Sequence, residues 1–301
     1  MNAVFVIDKP AGMTSHDVVY RVRRILRQRD IGHLGTLDPL ATGVLVLVTG
    51  SLTRLAQFYL GSAKSYEGVV RFGFATDTYD AEGEATAPQS PVDLSLLQIQ
   101  ELAVKFTGVI EQMPPPFSAK KIRGVPAYKL ARTHKEVPLK AVQVEVKSFE
   151  VSSVELDRAR FRAQVSAGTY IRSIAHGMGQ LLGCGGHLES LRRTSQAEFD
   201  LAQAHTLEEL AGAADGGAVE GMAIHPRELL PQFPSVTAND EIISHIRCGR
   251  AVNLPNLSQA KHVKVFRGQR DLIAIAARVA GTLFHPKVVL ISGQPAEAAY
   301  K

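Results

Sequence analysis

The sequence predicts an α/β (α+β) fold in two parts: a mixed α/β unit over residues 1–232 and a small β-rich unit over residues 235–296. Three observations carry this expectation. The chain has 301 residues, against about 150 for a typical domain, which suggests two domains or one with an appendage. Short β-branched runs alternate with segments of helical spacing through the N-terminal two thirds. After a proline-bounded stretch at residues 231–234 the pattern turns mostly strand-like.

Residues 3–7 (AVFVI) form a short apolar strand, broken by Lys9-Pro10-Ala11-Gly12. A helix follows, with Ser15 as its N-cap and Val18, Val22, Ile25 and Leu26 at helical spacing. This leaves Arg21, Arg23, Arg24, Arg27 and Arg29 mostly on other faces, as a basic ridge. Beyond a glycine-containing loop at 32–39, residues 44–48 read as a buried strand, 52–60 as a helix and 66–72 as a strand. Residues 77–90 are a loop, and 94–106 have helical periodicity. Met113-Pro114-Pro115-Pro116-Phe117 excludes regular helix and central strand, because proline lacks the backbone donor and restricts its predecessor. Strands are expected at 142–151, 159–165 and 188–197, with a helix at 170–182 that ends on Gly183. Residues 231–234 read as a linker, and strands at 263–266, 272–277 and 282–291 fit a small β domain near the lower size limit for independent folding.

Composition narrows the function classes. With 45% hydrophobic and 21% charged residues, the chain is no disordered polymer. The net charge is +5, but it is unevenly spread. Residues 198–241 hold nine acidic residues and one basic, Arg227, a balance of −8 that leaves +13 for the rest. Such asymmetry points to an anionic partner, nucleic acid above all. A second basic cluster, Lys120, Lys121, Arg123, Lys129, Arg132, Lys135 and Lys140, lies between residues 117 and 140 with one acidic residue, Glu136. Cys184 and Cys248 make neither a disulfide framework nor a zinc pattern, so a cytoplasmic location and no metal are expected. The apolar stretch 39–53 is shorter than the roughly 18 residues of a membrane span and contains Pro39, Gly43 and Gly50. The N-terminal residues have no signal-peptide pattern, and no membrane association is expected.

The densest chemical signal is Gly32-His33-Leu34-Gly35-Thr36-Leu37-Asp38-Pro39-Leu40-Ala41-Thr42-Gly43, a loop entering a buried strand. Asp38 in isolation is an ordinary Asp-Pro turn element, and His33 has no metal-ligand partner pattern. The segment does not match the phosphate-binding pattern G-x-x-x-x-G-K-[ST].

In full, GHLGTLDPLATGVL resembles the signature of the TruB family of tRNA pseudouridine synthases, which modify uridine 55 in the T loop. Four more segments resemble that family's motifs in the family's order: DKPAGMTSHDVV, KSYEGVVRFGFATDTYDAEG, FSAKKIRGVPAYKLAR and SAGTYIRSIAHGMGQLLGCGGHLESLRRT. Five ordered matches make an accidental resemblance improbable. The resemblance implies a pseudouridine synthase fold with a mixed, largely antiparallel central sheet flanked by helices and loops, followed by a small PUA-like β domain. Gly249-Arg250-Ala251-Val252-Asn253-Leu254-Pro255 is a loose match to the start of such a domain.

It also implies the site. Asp38 corresponds to the catalytic aspartate, Tyr66 to the tyrosine that stacks on the target base, and Arg172 to the arginine paired with the aspartate. Leu191 corresponds to the apolar wall of the base pocket, Asp80 and Tyr170 to residues shaping it, and His33 to a contact with the T loop. Taken singly, these residues have bland readings: a sheet aromatic for Tyr66, a surface helix residue for Arg172, a core leucine for Leu191, a loop acid for Asp80. The reaction isomerises uridine with no atom gained or lost, so no cofactor is expected. The expected partner is the T arm of tRNA, engaged through Arg21, Arg24, Lys120, Lys121, Arg123, Lys129 and Arg132, with no obligate protein partner and a monomeric enzyme. Two alternatives remain: a guide-RNA-dependent pseudouridine synthase, and a non-catalytic tRNA-binding or folding protein.

Overall fold

The structure, a computed structural model, describes residues 1–117, 121–122, 125–126, 140–254, 257 and 259–291. In chain order the elements are β1 (Val4–Lys9), α1 (Ser15–Ile25), β2 (Ile31–His33), β3 (Thr42–Thr49), β4 (Lys64–Phe72), α2 (Leu96–Val104) and β5 (Gly108–Gln112). The short pair β6 (Lys121–Ile122) and β7 (Val125–Pro126) precedes β8 (Val142–Glu155), β9 (Arg158–Val165), α3 (Ile171–Leu182), β10 (Gly186–Gln196), β11 (Phe199–Asp200), β12 (Ala204–His205) and α4 (Leu207–Asp215). The C-terminal elements are β13 (Ser235–Thr237), α5 (Asp240–Arg247), β14 (Val252–Asn253), β15 (His262–Arg267), β16 (Asp271–Ala280) and β17 (Leu283–Val289).

The main sheet runs β12-β1-β3-β10-β4-β9-β8-β5, with β2 added to β3 and β11 to β10. Its pairs are antiparallel except β1 with β12 and β3 with β10, so the sheet is mixed and largely antiparallel. A second sheet, β13-β15-β16-β17-β14, forms the small C-terminal β domain.

Two expectations about local structure change. The N-cap of α1 is Thr14, not Ser15: Thr14 and Asp17 form a reciprocal capping box, with the Thr14 side chain accepting from the Asp17 amide at 3.1 Å and Asp17 accepting from the Thr14 amide at 2.9 Å. Ser15 starts the helix and turns its hydroxyl inward. The segment expected as a helix at 52–60 is a 3-10 helix over Gly50–Phe58.

The apolar runs of β1 and β3 are buried on both faces, as their unbroken hydrophobicity requires. Phe5 and Ile7 pack with Val18 and Val22 of α1 and with Leu45 and Leu47 of β3. Val4, Val6, Val44, Val46 and Val48 face the other way, into a cluster with Phe266, Leu272, Ile275, Val288 and Leu290 of the C-terminal domain. Each such side chain contributes about 1.5–3 kcal/mol when fully buried. The segment just before the expected linker is anchored to this domain: Leu229 and Leu230 are buried, and the Lys264 ammonium donates to the carbonyls of Arg227 and Leu229. Arg227, the one basic residue of the acidic segment, lies over the Phe266 ring at 4.5 Å and donates to Gln269 O.

Candidate active site

The loop between β2 and β3 carries Asp38, and its backbone is anchored carbonyl by carbonyl. Gln196 donates to Leu34 O at 3.0 Å. Arg193 donates to Gly35 O at 3.1 Å and Thr36 O at 3.2 Å. The Ser15 hydroxyl donates to Leu37 O at 3.0 Å and accepts from Leu37 N at 2.8 Å. Ala41 N closes on Asp38 O, while Gly12 N and the Lys9 ammonium both donate to Pro39 O. Lys9 is wholly buried and also donates to Pro10 O and Met13 O; burial lowers its pKa to about 8. A buried backbone needs a partner for each polar group, and here each loop carbonyl from residue 34 to 39 has one.

Asp38 projects from this frame. Its carboxylate pairs with Arg172 NH2 at 3.0 Å, from the first turn of α3. The Asp38 side chain is 39% exposed and that of Arg172 only 6%, so the acid is reachable while its cation is not. Arg172 is in turn clamped from behind: NH1 pairs with Asp80 at 3.2 Å and donates to Thr78 O at 3.1 Å, and NH2 donates to Phe117 O at 3.0 Å. Asp80 is held by the Thr78 hydroxyl at 2.6 Å and the Glu82 amide at 3.1 Å. Tyr79, between Thr78 and Asp80, sits at φ 65°, a conformation that costs a non-glycine residue free energy and here aims both neighbours at Arg172.

The electrostatics follow from this cage. Burial at the base of the cleft pushes the Asp38 pKa above the ordinary carboxylate value, Arg172 opposes that push, and the Asp80 charge adds to it. Tyr66 is buried, and burial raises its phenol pKa against the opposing influence of Arg193, so the hydroxyl is protonated at neutral pH.

Asp38, Tyr66, Tyr170, Arg172 and Leu191 line one cleft of about 650 Å³, so residues far apart in sequence converge as expected. Asp80 stands behind Arg172 rather than in the cleft wall. Tyr170 is the N-cap of α3, its peptide fixed by Gln112, which accepts from Tyr170 N at 2.8 Å and donates to Tyr170 O at 2.9 Å. His33 lies on β2, outside the residues lining the cleft; it is half-buried, and burial lowers its pKa. Arg21 and Arg24 are exposed on α1, and Arg21 reaches Glu208 of α4 at 3.6 Å. Lys120, Arg123, Lys129 and Arg132 lie outside the described residues, and Lys121 begins β6.

The sequence reading took Ser15 for a helix cap and Lys9 for part of a loop, missed that both anchor the Asp38 loop, and passed over Lys64 and Arg193. Lys64 lines the cleft beside Asp38, its pKa lowered to about 8 by burial and then by Arg193. A signal existed for two of them. Lys9 continues the inward phase of Phe5 and Ile7, and Arg193 that of Leu191, so period-two alternation marks both as buried.

Two family models match the chain: TruB family pseudouridylate synthase (N-terminal domain) over residues 23–171, and the tRNA pseudouridylate synthase B C-terminal domain over residues 172–221. A tRNA pseudouridine synthase B from Solibacter usitatus is 47% identical, the alignment covering 96% of this chain and 100% of that protein. Its counterpart in Aquifex aeolicus is 38% identical over 97% of this chain and 100% of its own length. Among solved structures, a chain of a Cbf5-Nop10-Gar1 complex superposes with a TM-score of 0.73 at 25% identity, covering 96% of this chain and 85% of that one. No helix among the described residues is long and apolar enough to cross a membrane.

Proposed function

The chain belongs to the TruB family of pseudouridine synthases, and from that premise we propose that it converts uridine 55 in the T loop of tRNA to pseudouridine. The reaction breaks the bond from ribose C1′ to base N1 and joins C5 to C1′; C5 loses a proton, N1 gains one, and the composition of the nucleotide is unchanged. The observation that carries this reading is the half-buried but reachable Asp38 carboxylate held at 3.0 Å by a buried, back-clamped Arg172. A carboxylate kept ionised beside a sugar can serve as nucleophile at C1′ or as base toward the ribose, and both roles need the charge that Arg172 favours.

The target must leave the RNA stack to reach Asp38, at a cost of about a few kcal/mol. Tyr66 supplies an aromatic surface for the extruded base and Leu191 an apolar wall, on adjacent strands of the same cleft. Arg21, Arg24 and the basic cluster at 120–132 supply phosphate contacts, and His33 meets the T loop from β2. The enzyme works as a monomer in the cytoplasm on tRNA alone.

Site-resolved pseudouridine mapping on unmodified tRNA, treated with wild type and with Asp38→Asn, tests the reading. Wild type should modify position 55, and Asp38→Asn should lose on the order of 10⁴-fold in rate while RNA binding survives. No pseudouridine with wild type would refute the proposal, and full modification by Asp38→Asn would transfer the chemistry to another group. The likeness to a chain of the Cbf5-Nop10-Gar1 complex favours one second reading, guide-dependent action. Activity of the isolated chain without guide RNA or added proteins excludes it.

A further inference from the structure

Arg193 is the largest fully buried side chain among the described residues, and its place in the sheet is unusual. It lies on β10 between β3 and β4, with Gly43 as its register partner on one side and Tyr66 on the other. A Cβ at Gly43 would come within 2.2 Å of Arg193 O, so the glycine is what allows the strands to approach here. The guanidinium donates to Val44 O at 2.7 Å as well as to Gly35 O and Thr36 O, and it stands near enough to Tyr66, its register partner, to oppose the rise that burial gives the phenol's pKa. No carboxylate is hydrogen-bonded to it among the described residues; burial lowers its pKa, and the charge of Asp38 is among the influences that oppose that fall. A guanidinium buried among carbonyls is a costly way to fill a core. Its planar fork can, however, fix several groups at defined angles at once.

Building on the proposed function, we propose that Arg193 is a positioning residue for the isomerisation, joining the loop that carries Asp38 and the hydroxyl of Tyr66 into one rigid frame. The aspartate acts at the sugar and the tyrosine holds the base, so the frame sets the spacing between the two ends of the nucleotide while the base turns. Arg193 itself touches neither sugar nor base; it lies behind the cleft wall. A displacement of about 1 Å in such a frame is enough to cost about 100-fold in rate.

The test is a double-mutant cycle with Tyr66→Phe, read as single-turnover rate, KM and RNA affinity on unmodified tRNA. Arg193→Gln should lower the rate by about 100-fold with KM and RNA affinity within about threefold of wild type. In the Tyr66→Phe background the same substitution should cost much less, because the joint is already broken on one side. Losses that multiply in the double variant, a loss confined to KM, or a folded Arg193→Gln protein with the wild-type rate would each overturn the proposal. If Arg193→Gln does not fold, Arg193→Lys carries the same cycle. Lysine keeps the charge without the fork, so it should fold and still lose most of the rate; a wild-type rate for Arg193→Lys would overturn the proposal. The wild-type arm separates the two readings: no pseudouridine there refutes the proposed function, whereas modification that survives at position 193 refutes only this inference.

Discussion

The loop around Asp38 and the arginine ridge of α1 are both polar, and they are built on opposite principles. In the loop, each backbone carbonyl from Leu34 to Pro39 is bound by a donor, and four of those donors are buried side chains from elsewhere in the chain, Lys9, Ser15, Arg193 and Gln196. On the ridge, Arg21, Arg24, Arg27 and Arg29 are exposed; Arg23 donates to Ile31 O, and Arg21 meets Glu208 at 3.6 Å. The first region trades freedom for position, as the proposed action of Asp38 on a single bond requires. The second keeps its freedom, which suits the phosphate contacts proposed for it, since attraction to phosphates depends weakly on where each guanidinium points.

The contrast can be broken or sharpened by substitution. Short of replacing Asp38 itself, Arg172→Gln should have the largest effect, on the order of 10²–10³ in rate, because it removes the cation that favours the charged aspartate. It should also change the pH profile. On the proposed mechanism activity needs ionised Asp38 and is therefore lost as pH falls through its pKa, which burial already holds above the ordinary carboxylate value. Without Arg172 that pKa rises further, so the acid limb of the rate profile should move toward neutral pH; an unmoved limb would mean that Arg172 does not act through the charge of Asp38. Ser15→Ala should come next. It strands Leu37 N–H and C=O in a buried setting, so thermal unfolding should show a loss of about 1–3 kcal/mol with reduced activity in proportion to any loosening of the loop. Arg24→Ala should have the smallest effect: an unchanged turnover rate, modestly weaker RNA binding, and a slope of log affinity against log salt reduced by about 1. If it slowed turnover instead, the ridge would share the loop's precision and the contrast would collapse.

The same division explains what could be read in the sequence. Asp38, Tyr66, Arg172 and Leu191 were legible because five ordered segments placed them together, though each alone had a bland reading. The strands were legible from apolar runs such as VFVI in β1 and VLVLV in β3. The anchors were not, because lysine and arginine are read by habit as surface residues, and only their phase in the strand reveals Lys9 and Arg193 as buried. Thr14 and Ser15 are both good caps, and the acid three residues after Thr14 decides between them. The docking of the C-terminal domain was harder to see. Unbroken apolar runs say that both faces of a strand are covered, without saying which later segment covers the second.

That second cover has a bearing on how the protein comes into being. The valines of β1 and β3 that point away from α1 rest on Phe266, Leu272, Ile275, Val288 and Leu290. A ribosome delivers those residues after the whole of the catalytic half, at roughly 5–20 residues per second. For those seconds the nascent enzyme carries its complete set of active-site residues on a sheet with one greasy side bare. Its last strands are therefore what makes its first ones safe from aggregation.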